Sequence, residues 1–259
     1  MEWEEVNPED PELYIAYCNY YFCTARREVI SFEKQGSQGS YIVIRNPKTG
    51  ELIAGLFFSD IYYDEEKIDL AFKYLDEGIK KYPDRLDMHF CKIHILGEVE
   101  RYEVQKNAIL DVLGISKEIN NNWLWLDGEV IDDAFTFMME NIHNYIYHYF
   151  NNYISNGYMY IIEISQKIIE IYPELVFPYN NIAVVYYYQD NYQEAINYFK
   201  LAEEKNPTDT IVISNIASLL SITGDIDASL EYYEKLIQYG NEEEREYAEQ
   251  QIRELKNEE

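Results

Sequence analysis

The residues able to do chemistry are few. His89, Cys91 and His94 stand in the order His-x-Cys-x-x-His, and His143 and His148 follow downstream. Ligands on one face of a helix sit three or four residues apart. The members of each histidine pair are five apart, so only Cys91 and His94 share a face. A protein zinc site takes three or four side-chain ligands. Two do not make one, and the histidines read as packed helix residues; no metal and no cofactor is expected. Acids are abundant, 48 Asp and Glu in 259 residues, so without geometry no pair stands out as acid and base. There is no phosphate-binding glycine loop and no Gly-x-Ser-x-Gly elbow. The Gly-Ser-Gln-Gly run at 36–39 lacks a following lysine and reads as a flexible linker. No catalytic residue is assigned, and the chain reads as non-enzymatic.

The balance of 48 acids against 21 Lys and Arg gives a net charge of −27. Such a surface repels nucleic-acid phosphates and anionic membrane surfaces, and it attracts and steers a basic partner. The first twelve residues, MEWEEVNPEDPE, carry six acids and no base, so they lack the basic start and apolar stretch of a secretory signal. No apolar run approaches the ~18–20 residues of a membrane span. Cys18, Cys23 and Cys91 are too sparse, and odd in number, for a disulfide framework. A reduced cytoplasm is the expected setting.

The elements that would position any site show a repeat. Pro173 and Pro207 are 34 residues apart, and so are Asp190 and Gly224, Tyr186 and Leu220, Ile182 and Ile216, Ala183 and Ala217, Phe199 and Tyr233. Tyr179, Ile182, Ala183 and Tyr186 fall at i, i+3, i+4 and i+7, one face of a helix. A turn at 189–191 follows, and then Tyr192, Ala195, Phe199 and Ala202 mark a second helix, which Pro207 stops because it has no amide hydrogen. Ala183 and Ala195 let the paired helices approach closely, and Ala202 lets the next pair dock. Ile213, Ile216, Ala217 and Leu220, a turn at Gly224-Asp225, and Ile226, Ser229 and Tyr233 repeat the scheme.

Residues 176–209 resemble the tetratricopeptide repeat at nearly every signature position, with Tyr179 in its Trp place and Ile182 in its Leu place. The likeness is weaker over 210–240, where Ser229 replaces an Ala, Leu236 replaces the last small residue and the closing proline is missing. The resemblance implies an all-α, right-handed superhelix of helix-turn-helix pairs. Upstream the signal returns in pieces. Residues 158–173 read as a second helix, and 129–155 as a long helix with the face Ile142, Tyr145, Ile146 and Tyr149. That face sits three residues out of register, as if the helix overran by a turn. Residues 67–83 read as another second helix, with Ile68, Ala71, Leu75, Gly78 and Pro83, and Arg85–Leu96 as the first helix of a further pair. Pro83 and Pro173 are 90 apart, 22 more than two repeats. The surplus is placed in 114–128 and the lengthened helix, with Trp123 and Trp125 as local core.

At the N-terminus, Pro11 to about Ile30 reads as a helix and QGSQGS at 35–40 as a break. Two β-rich runs over 41–58 flank Asn46-Pro47-Lys48-Thr49-Gly50, a hairpin turn in which Pro presets φ and Gly takes the left-handed position. The expected organisation is 1–60, a helix and inserted β-hairpin forming part of the first repeat; 61–240, helical repeats; and 241–259, a charged amphipathic helix that caps the array.

In the tetratricopeptide family the first helix of each pair lines the inner groove. Carried over by position, the lining is Phe177, Asn180, Asn181, Val184, Tyr187, Tyr188, Ile211, Ser214, Asn215 and Ser218. Asparagine amides there both donate and accept, as an extended peptide backbone requires. The Lys and Arg with which some family members grip an acidic carboxyl terminus are missing from these positions. From Glu118 to Gln166 there is no Lys or Arg at all, against seven acids. The expected activity is binding of a protein or peptide, basic in character, in an acidic, Tyr-rich groove. The alternative is a stoichiometric inhibitor of the immunity-protein or antitoxin kind, acting on a basic toxic enzyme. Partner affinity is expected to fall steeply with added salt, because screening shortens charge attraction to about 8 Å at physiological ionic strength. Equal affinities from a low-salt and a high-salt titration would remove the charge part of this expectation.

Overall fold

The computed structural model describes residues 5–33, 41–152 and 154–257. The QGSQGS run at 35–40 lies outside the described residues. In chain order the elements are α1 (Glu12–Ala25), β1 (Arg26–Glu33), β2 (Tyr41–Arg45), β3 (Leu52–Tyr63), α2 (Glu65–Lys81), α3 (Leu86–Glu98), α4 (Tyr102–Glu118), a short 3-10 turn at Leu126–Gly128, α5 (Ala134–Asn151), α6 (Gly157–Ile171), α7 (Phe177–Tyr188), α8 (Tyr192–Lys205), α9 (Thr210–Ile222), α10 (Ile226–Tyr239) and α11 (Glu242–Asn257). Successive helices pack in pairs. The chain divides into two units, Met1–Ala108 with Glu118–Ala134, and Ile109–Lys117 with Phe135–Glu259.

The repeat is written in the backbone hydrogen bonds. Where α3, α7 and α9 end, an amide five residues on returns to the helix: Arg101 N to Leu96 O at 2.8 Å, Asn191 N to Tyr186 O at 2.9 Å and Asp225 N to Leu220 O at 2.9 Å. The residue before each amide is left-handed: Glu100 (φ 58°), Asp190 (φ 57°) and Gly224 (φ 85°). This closure satisfies carbonyls that a helix end leaves open. The second helices end alike, with Tyr82 N on Gly78 O, Tyr172 N on Ile168 O, Asn206 N on Ala202 O and Gly240 N on Leu236 O. Pro83, Pro173 and Pro207 follow the first three of these.

In the second unit, Tyr179, Ala183, Ala195, Ile196, Phe199, Ala202, Val212 and Ile216 share one buried cluster across α7, α8 and α9. Ser229, at an Ala position of the pattern, is fully buried, and its hydroxyl donates to Ala217 O at 2.8 Å, so the substitution leaves no orphan. Burial pushes the Tyr233 phenol beside it up to about 12. The helix α11 lays Ala248 and Leu255 on Ile213, Ala217, Tyr233 and Leu236. Its start is a reciprocal cap: Glu244 N donates to Asn241 Oδ1 at 3.1 Å and Asn241 N to Glu244 Oε2 at 2.8 Å.

Helix α5 departs from the sequence expectation of 129–155. It runs from Ala134 to Asn151, 18 residues against 12 in α7, so it is lengthened as expected but within narrower bounds. Its buried Ile142, Ile146 and Tyr149 lie three residues ahead of the positions 34 before Tyr179, Ala183 and Tyr186. Left-handed Asn156 (φ 63°) stands 34 residues before left-handed Asp190, so the register is regained there.

In the first unit, Ile68, Ala71, Phe72, Leu75 and Gly78 form the buried face of α2. Tyr17 and Tyr74 stack across α1 and α2 with centroids 4.4 Å apart. The expected helix to Ile30 is corrected: α1 stops at Ala25, and 26–33 is a strand. The sheet has the order β1-β3-β2, with both pairings antiparallel, so a third strand joins the expected hairpin. The hairpin turn forms as read, with Gly50 at φ 72° and its amide on Asn46 O at 2.9 Å. Where the chain leaves α1 and returns to α2 it is stitched by Asp64 N to Ala25 O at 3.0 Å and by the Arg27–Asp64 ion pair at 2.7 Å.

The 22-residue surplus goes into a 17-residue α4, the segment 119–133 and an 18-residue α5. Trp123 is fully buried and meets His89 edge-on at 5.5 Å, and Trp125 meets Phe90 at 6.5 Å. Buried Arg85 pairs with Asp87 and Glu12, and Glu12 also accepts the Asp127 amide at 3.0 Å. This network ties α1, α3 and the segment together, and removing one member would strand a buried charge.

A Cβ at Gly78 would lie 2.8 Å from Tyr14 Cβ and 3.0 Å from Met88 Sδ, whereas one at Gly114 in α4 meets nothing within 4 Å. Gly78→Ala is expected to destabilise by ~1 kcal/mol net, overpacking outweighing the helix-propensity gain. Gly114→Ala is expected to stabilise by up to ~1 kcal/mol. Urea midpoints check both, and a shift of the same sign for the two would contradict the packing at Gly78.

Candidate partner-binding face

Helix α7 has the sequence FPYNNIAVVYYY and no charged residue. Pro178 in its first turn suits a helix start, where an amide has no partner. Tyr179, Ile182, Ala183 and Val185 turn inward and are buried. That leaves Asn180 and Val184 half-buried and Tyr187 and Tyr188 exposed, at 40% and 60%. Phe177 is half-buried and meets His143 of α5 edge-on at 5.9 Å. On α9, Ile211 is 65% exposed, while Ser214, Asn215 and Ser218 are half-buried, with Ser218 Oγ 3.4 Å from the Tyr233 hydroxyl.

Asn181 differs from its expected place on an open face: it is only 6% exposed. It precedes Ile182, and the buried arc of α7 is wide enough to take it in. Its Nδ2 is buried without a hydrogen-bond partner, and so is Oδ1 of its neighbour Asn180. One donor and one acceptor are thus left open on adjacent residues.

Sequence reasoning missed the α5 part of this face. A cavity of about 520 Å³ is lined by Phe135, Thr136, Met139, Glu140, His143 and Asn144 of α5 and by Leu175 and Phe177. Glu140, His143 and Asn144 stand 37 residues before Phe177, Asn180 and Asn181. A strict 34-residue carry-over from Phe177 reaches His143, but from Asn180 and Asn181 it reaches residues 146 and 147, and the three-residue offset of the apolar face is the signal for Glu140. None of the ten expected positions is charged, so Glu140 is the acid of this surface. Among the described residues no group of three or more His, Cys, Asp or Glu could hold a metal, and no helix is long and apolar enough to cross a membrane.

A tetratricopeptide-repeat model matches residues 177–209, and a second one matches 212–239. These are two tetratricopeptide repeats. No curated protein matches the chain. Among solved structures, the chain is similar to the TPR2B domain of yeast Sti1 in its pHsp70 complex, with 18% identity, 46% of this chain, 97% of that chain and TM-score 0.40. It is also similar to the first TPR of Spaghetti (RPAP3) bound to an HSP90 peptide, with 18% identity, 44% of this chain, 86% of that chain and TM-score 0.38. PilF of Pseudomonas aeruginosa is similar at 17% identity, 69% of this chain, 71% of that chain and TM-score 0.39. At these TM-scores the likenesses add nothing to the repeat assignment, which rests on the two matches in sequence and on the recurring closures of α7 and α9.

The open amide of the first tetratricopeptide repeat has a measurable consequence. Replacing Asn181 by Leu removes a buried, unsatisfied donor while keeping a branched side chain of the same heavy-atom count. Asn181→Leu is expected to raise stability by ~1 kcal/mol. A urea midpoint that stays level or falls would overturn this account of Asn181.

Proposed function

We propose that the chain is a non-enzymatic interaction scaffold that binds a protein or peptide segment of basic character along the face formed by α5, α7 and α9. The observation that carries this reading is the cavity between α5 and the start of α7, which combines a mainly apolar lining with a single carboxylate, Glu140. Such a site suits an apolar side chain with a positive neighbour. Beside it, the open Asn180 Oδ1 and Asn181 Nδ2 match the N–H and C=O of an extended backbone once their side chains turn outward. Half-buried Asn215, 34 residues beyond Asn181, continues the same amide chemistry. The excess of acids elsewhere supports a basic partner by steering its approach. Free Cys18, Cys23 and Cys91 support a reducing setting such as the cytoplasm.

A random peptide display library panned on the immobilised chain is the test. Enriched peptides are expected to carry an apolar anchor next to Lys or Arg. Thr136→Arg, which puts bulk and positive charge at the mouth of the cavity, is expected to weaken an enriched peptide at least about tenfold, as loss of a binding anchor does. Phe177→Ala is expected to act in the same direction. Enrichment of acidic peptides, or full affinity in Thr136→Arg with unchanged circular dichroism, would refute the reading.

A further inference from the structure

Five rings gather where the helix pairs of the second unit make their turns. Phe150, near the end of α5, lies 6.1 Å from Tyr158 and 6.2 Å from Tyr188, centroid to centroid. Tyr158 and Tyr188 are near parallel, at 18° and 6.2 Å. Tyr187 meets Tyr188 edge-on at 5.5 Å and reaches Tyr192 at 6.0 Å. The row ends on a carboxylate, because the Tyr192 hydroxyl donates to Asp190 Oδ1 at 2.9 Å. Asp190 is exposed and left-handed, at the position where the next repeat has Gly224. Glycine takes that conformation without strain, so the carboxylate is kept at a conformational cost.

Elsewhere the protein covers tyrosine and phenylalanine faces with its own cations: Lys73 over Tyr74, Lys81 over Tyr82, Arg101 over Phe72, Lys205 over Tyr179 and Lys235 over Tyr232. Among the described residues no lysine or arginine stands over these five rings. From Phe135 to Phe199 the sequence holds one cation, Lys167, and Glu170 already pairs with it at 3.0 Å.

We propose that this row of rings, with Asp190 at its end, is a docking site for arginine side chains of the partner. The inference rests on the reading that the partner is a basic polypeptide, and it adds which basic side chain is held and where. A planar guanidinium is weakly hydrated, stacks on an aromatic face and can bond a carboxylate with two parallel N–H groups; an ammonium does none of this as well. Tyr188, the most exposed ring of the row, offers the face. Asp190 retains Oδ2 for the guanidinium while Oδ1 accepts from Tyr192.

The probe is N-acetyl hexaarginine amide, titrated calorimetrically into the full chain, with hexalysine of equal charge as reference. Hexaarginine is expected to bind severalfold tighter than hexalysine. Tyr188→Leu, which keeps an apolar side chain but loses the ring, is expected to weaken hexaarginine about threefold or more, in line with one cation–π contact. Tyr188→Phe keeps the ring and is expected to retain affinity within about twofold. Asp190→Gly suits the left-handed backbone and is expected to fold normally and to weaken hexaarginine. Equal binding of the two peptides, or an unchanged hexaarginine affinity in Tyr188→Leu, overturns the site and leaves attraction by net charge alone. If that occurs while Thr136→Arg still abolishes binding of the display-selected peptide, the arginine site fails and the α5–α7 cavity reading survives.

Discussion

Everything in the repeats depends on how closely two helices can approach twelve residues apart in sequence. Ala183 faces Ala195 in the first tetratricopeptide repeat, and Ala217 faces Ser229 in the second; all four are fully buried. Where the pair is Ala and Ser, the hydroxyl bonds the facing carbonyl and the approach is kept. The pair α3–α4 meets the same constraint differently. Ile93 and Gln105 occupy the two places, and the Gln105 amide donates to Ile93 O at 2.9 Å. Room for that longer side chain comes from Gly97, at which a Cβ would lie 2.5 Å from Gln105 Nε2. One geometric demand thus has three chemical solutions. The two polar solutions each satisfy the group they bury, which a helix crossing without water requires.

This explains what could be read from the chain and what could not. Tyr179, Ile182, Ala183, Ala195, Phe199 and Ala202 obey a fixed spacing because each fills one place in the crossing, and all are buried. The period survives substitution of single members, so it could be followed into Ser229 and Leu236. It could not be followed through α5, whose buried Ile142, Ile146 and Tyr149 stand three residues ahead of the period. Most positions copied at 34 then land off the cavity, only Phe177 mapping onto an α5 lining residue, His143, and so Glu140 and Met139 were not reached. The end of α1 was hidden by a different cause. Residues 26–33, RREVISFE, mix four charged residues with Val29, Ile30 and Phe32, a composition that suits a helix flank and a strand alike. The pairing with β3 that decides between them lies up to 37 residues away, with Arg26 opposite Tyr63.

The burial of Asn181 and the exposure of Tyr188 show the limit of placing residues by helix angle alone. Both sit on the same short helix, and both were expected to face a partner. The buried arc of α7 is broad, taking in Asn181 as well as the Tyr179, Ile182 and Ala183 positions of the pattern. Tyr188 lies at the last turn, where α7 runs out of neighbours, so its ring finds Phe150 and Tyr158 instead. A repeat therefore offers two kinds of surface. Helix faces carry amides and apolar walls, and helix ends carry aromatics.

The distribution of charge separates encounter from recognition in the same way. The net charge of −27 is a property of the whole chain, yet none of the ten positions expected to line the face is ionised. Distant acids act through a field that salt screens, and they change how fast a basic partner arrives. Contacts on a neutral, aromatic and amide-bearing face are short-ranged, and they set how long the partner stays. On the proposed reading, the acids away from the face speed the approach of a basic chain, and only the few at it, Glu140 and Asp190, would be paired on binding, so that no unpaired carboxylate is buried.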